Sequence, residues 1–228
     1  MKNTKSMIPT IFKTLHTSSL DELENIYKNW APDYEHDVIQ LAGYVGHLIT
    51  TRLLLKYLTN NEFEVLDAGC GTGLVGEILH KKGIKNIVGV DFSKQMLDLA
   101  LKKNVYKSLH LMDLTQKLNF EDDTFDAIVC AGTFTCGHVG PEAFAEMVRI
   151  TKSGGYISFT VRKQEWEASP YEKTIKTSLF IWGITTCILC PMRFGMRPAS
   201  QCSSIWWCCV CERLLSECRN GISRCRPG

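Results

Sequence analysis

Between Glu64 and Val161 the chain repeats one rhythm, in which short apolar runs alternate with stretches patterned at helical spacing. Glu64-Val-Leu-Asp67 is followed at once by Gly69-Cys-Gly71-Thr-Gly73, then by a helical pattern from Leu74 to Lys82 closed by Gly83. A second strand pattern, Asn86 to Val90, ends at Asp91. It leads into a helix from Ser93 to Lys103 with Ser93 as its cap. Leu109 to Met112, ending at Asp113, and Phe125 to Cys130 are the third and fourth strands. Pro141 to Thr151 reads as a helix, Gly154-Gly155 as a turn, and Tyr156 to Val161 as a fifth strand. Strand and helix in such alternation predict an α/β fold, a doubly wound and mostly parallel sheet covered by helices on both faces.

A ligand of such a sheet sits beyond the carboxyl ends of the strands, where strand order reverses. Asp67 with its glycines, Asp91, Asp113 and the loop after Cys130 all fall at strand carboxyl ends. Gly69, Gly71 and Gly73 allow a sharp turn and close approach of a ligand to the backbone. Their spacing is G-x-G-x-G, not the G-x-G-x-x-G of dinucleotide sites, and the adjacent Asp67 would repel a pyrophosphate but suit an ammonium group. Leu74 and Val75 stand where a phosphate-binding loop would need Lys and Ser or Thr. Asp91 lies 18 residues after Gly73, where an acid accepts hydrogen bonds from ribose hydroxyls. Asp113 is placed to meet an adenine amino group. A ligand with an amino acid end, a ribose and an adenine satisfies all three, and S-adenosylmethionine is that ligand.

The motifs themselves carry a resemblance. Val65-Leu-Asp-Ala-Gly-Cys-Gly-Thr-Gly73, Val88-Gly-Val-Asp-Phe-Ser93 and Asp113-Leu114 are similar to the first three motifs of class I S-adenosylmethionine-dependent methyltransferases. Thr124-Phe-Asp-Ala-Ile-Val129 and Arg149-Ile-Thr-Lys-Ser-Gly-Gly155 resemble their later ones, with Ser153 where Pro is usual. Tyr27-Lys-Asn-Trp-Ala-Pro-Asp-Tyr-Glu35 and Pro170-Tyr-Glu-Lys-Thr174 are similar to one branch of that family. The resemblance implies a methyltransferase acting on a small-molecule or protein acceptor. The alternative is a cofactor-binding or inactive truncated form acting as a non-catalytic module. It also implies a cofactor site drawn from Tyr27, Trp30, Tyr34, Asp67, Gly69, Gly71, Gly73, Asp91, Phe92, Met96, Asp113, Leu114 and Cys130. Tyr27, Trp30 and Tyr34 stand at three- and four-residue steps, so they read equally as buried core or as a lid. The acceptor is expected over the loop Ala131 to Val139, where His138 is a weak candidate base. No motif for nucleic acid methylation is present.

Apolar residues make up 45% of the 228 and charged residues 22%, the balance of a globular chain. The longest nearly uncharged run, Thr177 to Pro191, is too short for a membrane span, which takes about 20 residues. The sequence suits a monomer in a reducing compartment, cytoplasm or nucleus. Residues 1–19 read as a flexible terminus and 20–177 as the methyltransferase domain. In that domain a short helix is expected from Leu20 to Asn29 with Asp21 as cap, and one long helix from Tyr34 to Leu58.

From Ser178 onward the character changes: six Arg, no Lys, two Glu and eight of the 11 Cys fall in these 51 residues. We read residues 178–228 as an atypical Cys/Arg-rich tail, foreign to the family's own carboxyl terminus and without the final strand pair of the sheet. Reduced stability or aggregation is the expected consequence. Cys187-x-x-Cys190 and Cys208-x-x-Cys211 match zinc-ribbon spacing, but their knuckles lack the usual glycines, and no metal is expected.

Overall fold

Strand β1 (Val65–Ala68) is buried at every position, as a central parallel strand covered on both faces must be. It pairs in parallel with β2 (Ile87–Asp91) on one side and with β4 (Phe125–Phe134) on the other, while β3 (Ser108–Leu111) pairs outside β2. Next to β4 runs β5 (Thr151–Arg162), and the sheet is completed by β6 (Ile184–Arg193) and β7 (Ile205–Arg213). The seven-stranded order is β3-β2-β1-β4-β5-β7-β6. The computed structural model describes residues 8–14, 16–17, 19–134, 139–162, 166, 173, 184–193 and 205–213, the last two segments by their backbone pairing.

Alternate residues of the strands feed two cores. Leu66, Ile128, Ile157 and Phe159 pack with Phe144, Met147 and Val148 of α6 (Ala143–Ile150). Val65, Ile87, Ala127 and Val129 pack with Leu54 of α3 (Gly46–Leu54) and with Val75 and Leu79 of α4 (Leu74–Lys81). Phe125, Phe134, Phe144 and Phe159 are among the largest fully buried side chains. Each such burial contributes about 2 kcal/mol, and three of the four come from strands β4 and β5 while Phe144 comes from α6. Ser158 of β5 donates to the Thr50 carbonyl at 3.0 Å, tying α3 across the sheet.

Helices α4 and α5 (Lys94–Lys102) follow β1 and β2 as the sequence predicts, and the Ser93 hydroxyl accepts from the Met96 N–H as the cap of α5. Three expectations at the amino end are corrected. Residues 8–14, read as part of a flexible terminus, form helix α1 (Ile8–Thr14). Helix α2 (Leu20–Trp30) is capped by Ser19, which has the extended backbone a cap needs, and not by Asp21, which lies inside the first turn. The long helix expected from Tyr34 to Leu58 is split into a π-helical segment, His36–Leu41, and α3. Gly43, at φ 66°, turns the chain between them, and the wider π turn shifts the phase that the apolar spacing had suggested. Among the described residues no helix is long and apolar enough to cross a membrane.

The missing strand pair is also corrected. Strand β7 runs antiparallel to β5 from Tyr156↔Glu212 to Arg162↔Trp206, and β6 pairs outside it. Ile205-Trp-Trp-Cys-Cys-Val-Cys shows no polar–apolar alternation, so it does not announce itself as a strand. Its Cys, Val, Ile and Trp residues nonetheless suit one. Pro191 is tolerated in β6 because that strand lies at the sheet's edge. The premise for the instability expected of this chain, an unpaired β5, therefore falls away. The register places Cys187 opposite Cys211 and Cys190 opposite Cys208.

A chain ended at Thr177 leaves the outer edge of β5 without a partner. Compared with the full chain it is expected to melt roughly 5 °C lower or more and to self-associate on size-exclusion chromatography. Equal melting and a monomeric profile for both would mean that β6 and β7 add nothing to the sheet.

Candidate functional site

Strand order reverses between β1 and β4, because β2 and β3 are laid on one side of β1 and all later strands on the other. The loops leaving β1 and β4 diverge at that point and open a cleft of about 670 Å³, counted out to where it meets solvent. Its floor is the glycine turn. Gly69, Gly71 and Gly73 have φ of 73°, 53° and 92°, the left-handed region that residues with a Cβ avoid. A Cβ on Gly69 would collide with the Thr133 side chain of β4, whereas one on Gly71 would meet nothing within 4 Å. The turn is thus pressed against β4 at its first glycine and open to the cleft at its second.

Carboxylates at three strand ends surround this turn. Asp91 is buried at the end of β2, where its Oδ2 accepts from the Gly71 N–H at 2.8 Å and its Oδ1 from the Ser93 N–H at 2.9 Å. Burial pushes its carboxyl up to about 6 against the pull of those donors. Asp67, at the carboxyl end of β1, is held up at about 7 by burial, with Asp91 adding to the rise. Tyr106 donates to its Oδ2 at 2.6 Å, while Oδ1 is buried with no hydrogen-bond partner. Asp113 follows β3 and accepts from the Thr115 N–H and hydroxyl, both at 2.8 Å.

Aromatic groups close the other side. Tyr27 meets Phe92 edge-on at 5.8 Å, and Trp30 meets Tyr34 at 4.8 Å. The Trp30 indole donates to Asp37 at 2.9 Å. Burial raises both tyrosine hydroxyls, that of Tyr34 to about 12. Just beyond Tyr34, Glu35 meets the Lys103 ammonium at 2.7 Å. That ammonium also meets Glu77 of α4 at 2.7 Å, so the aromatic segment is clasped to α4 and α5.

Of the residues expected from the sequence, Tyr27, Tyr34, Gly69, Gly71, Asp91, Phe92, Met96, Asp113 and Leu114 line the cleft. Trp30 is buried behind Tyr34. Asp67 and Cys130 are buried within the sheet, and Gly73 packs against Tyr106, Lys103 and Ala100, so these four do not form its wall. Ala131, Gly132, Thr133 and Val139 reach it from the expected acceptor loop. His138 lies outside the described residues. Leu20, Leu23 and Met112 line the cleft unforeseen. The first two share the helical spacing of Tyr27, a signal that was available. Among the described wall residues there are two carboxylates and no cationic side chain.

Asp67 gives the site a pH signature. Its carboxyl is raised from the ordinary value near 4 to about 7 on folding, so the folded state holds the proton longer. Its contribution to stability is whole below about pH 4, declines as pH rises, and is gone above about 7. Asp67→Asn removes the charge, so its melting temperature relative to the parent is expected to rise by roughly 3–6 °C between pH 5 and pH 8. A difference that stays flat over that range would contradict a buried, reluctantly ionised Asp67.

Comparison with known proteins adds an independent line. Residues 66–159 match the family described as "Methyltransferase domain". Methyltransferase-like protein 27 of Homo sapiens is 34% identical over 158 residues, 68% of this chain and 60% of that protein. The chain therefore spans less than two thirds of that relative's length. Among solved structures, a chain of the complex between the Haloferax volcanii Trm112 methyltransferase activator and a putative methyltransferase aligns with TM-score 0.61 at 18% identity. That alignment covers 83% of this chain and 98% of the other. A putative S-adenosyl-L-methionine-dependent methyltransferase of Methanococcus maripaludis aligns with TM-score 0.58 at 20% identity, covering 84% and 95%. At those identities the structural likeness speaks for the fold alone. Together the sequence match and the motifs on the strand ends give the chain a methyltransferase domain over residues 66–159, carried on the fold of S-adenosylmethionine-dependent methyltransferases.

Proposed function

We propose that the chain binds S-adenosylmethionine in this cleft and transfers its methyl group to a small-molecule or protein acceptor. The observation that carries the reading is the set of three carboxylates at successive strand ends around an open left-handed glycine turn, with no cation among the described wall residues. The residues fit the group. Asp67 stands behind the wall rather than in it, and its Oδ1, a buried acceptor without a partner, would take up the ammonium, while Gly71 leaves free the space that a Cβ would take. Asp91 would hold the ribose hydroxyls and Asp113 the adenine amino group, with Phe92, Met96 and Leu114 supplying an apolar wall for the base. Gly69 and Gly73 keep the turn tight. Tyr27 and Tyr34 would cover the methionine end as a lid, with Trp30 bracing them and Cys130 packed beneath.

Bound there, the cofactor supplies a methyl group on a sulfonium, a leaving group that needs no acid. What the chain must add is alignment and exclusion of water, for which proximity supplies most of the rate. The Lys103 clasp on Glu35 serves that end by holding the aromatic segment over the cleft. The residues Ala131, Gly132, Thr133 and Val139, free of charge, are the surface we assign to the acceptor. A non-catalytic module loses its main support with the strand pair in place, since that reading leaned on an incomplete sheet.

Calorimetry with S-adenosylmethionine tests the reading. The full chain is expected to bind, and Asp91→Ala to weaken binding tenfold or more, about 1.4 kcal/mol or above, while remaining folded by circular dichroism. Equal affinity for parent and variant would remove Asp91 from the site, and no binding by the parent at millimolar ligand would overturn the proposal.

A further inference from the structure

Tyr106 belongs to none of the motifs, yet it is built into the centre of the site. It sits between α5 and β3, and its ring passes under the glycine turn to reach Asp67, donating to Oδ2 at 2.6 Å. Three glycines from three elements make room for that ring. A Cβ on Gly76 of α4 would collide with the Tyr106 ring and hydroxyl. One on Gly89 of β2 would lie 3.0 Å from the ring, and one on Gly73 would lie 3.1 Å from it. The hydroxyl thus arrives at one carboxylate oxygen along a fixed path, and the other oxygen, Oδ1, is left without a partner.

We infer that Tyr106 is a positioning residue for the cofactor's amino acid end, its hydroxyl fixing the Asp67 carboxylate so that Oδ1 remains the free acceptor. The inference rests on the cleft being the S-adenosylmethionine site. The groups facing Asp67 are Tyr106 from the segment before β3, Asp91 from β2, Cys70 from the glycine turn, Cys130 from β4 and the Gly76 backbone N–H of α4. Among them the Tyr106 hydroxyl and the Gly76 N–H favour the ionised carboxylate, and Asp91 opposes it. Loss of the hydroxyl therefore raises the pH at which Asp67 ionises, and an ammonium ligand must wait for a higher pH to find its partner charged.

Tyr106→Phe keeps the ring in its glycine pocket and deletes only the donor. Two probes separate its effects. S-Adenosylhomocysteine carries the amino acid end, and 5′-methylthioadenosine is the same thioether without it. Calorimetry from pH 6 to pH 9 is expected to show S-adenosylhomocysteine weakened on the order of tenfold at pH 7 in the variant. The acid limb of its binding curve should move upward while methylthioadenosine affinity changes less than about twofold. In an Asp67→Asn background the same substitution is expected to add no further loss. Equal weakening of both probes, an unmoved acid limb, or full additivity with Asp67→Asn would each overturn the inference and leave the cofactor site standing. A parent that binds neither probe would instead bring down the reading of the cleft itself.

Discussion

A parallel sheet whose strand order reverses leaves a gap between the loops on either side of the reversal, and here that gap falls between β1 and β4. The position of every wall residue follows from it. The glycine turn leaves β1 and Asp91 ends the strand beside it. The acceptor loop leaves β4 across the gap, and the aromatic segment folds over the top. The reversal also explains the crowding at Gly69. Two strands that are neighbours in the sheet send their loops opposite ways, and the turn must pass the Thr133 side chain with no atom to spare.

The cleft is bought with electrostatic discomfort. Asp67 and Asp91 are both buried, burial disfavours the ionised form of each, and Asp91 presses on Asp67. A fold under selection for stability alone would replace such groups. Their retention at the carboxyl ends of adjacent strands marks the place where stability yields to a ligand able to supply compensating donors. Asp91 is supported by two backbone N–H groups, of Ser93 beside it and of Gly71 20 positions earlier, whereas the one side chain that donates to Asp67 comes from 39 positions away.

The central sheet was legible because its signals are local. Each of the first four strands starts as a short apolar run close to its expected place, whereas β4 runs on to Phe134 and β5 begins at Thr151, taking in the Gly154-Gly155 pair expected to be a turn. Asp91, the glycines and Asp113 were legible for the same reason, being tied to strand ends by position. Legibility failed where phase or partner decides. A π-helical segment between Tyr34 and α3 carries the same apolar residues as an unbroken helix. The β7 run looks featureless until the open edge of β5 gives it something to pair with. Tyr106 was invisible for a third reason. Its meaning lies in a contact with a residue 39 positions earlier, and a lone tyrosine before a strand has no pattern of its own.

The nest of glycines around the Tyr106 ring has a consequence for how such a chain can change over time. Gly76 is small because the Tyr106 ring occupies the space its side chain would need, whereas a Cβ on Gly89 would meet Leu109 at 2.6 Å before the ring at 3.0 Å, and neither position has a left-handed backbone to justify glycine otherwise. The ring and Gly76 therefore form a single inherited unit. A lineage that shrinks the tyrosine opens a void at the heart of the sheet, and one that enlarges either glycine first meets a collision. Substitutions at positions 76 and 106 should accordingly travel together through descent, with a side chain appearing at 76 only where the aromatic at 106 has gone, while position 89 answers to Leu109 as well.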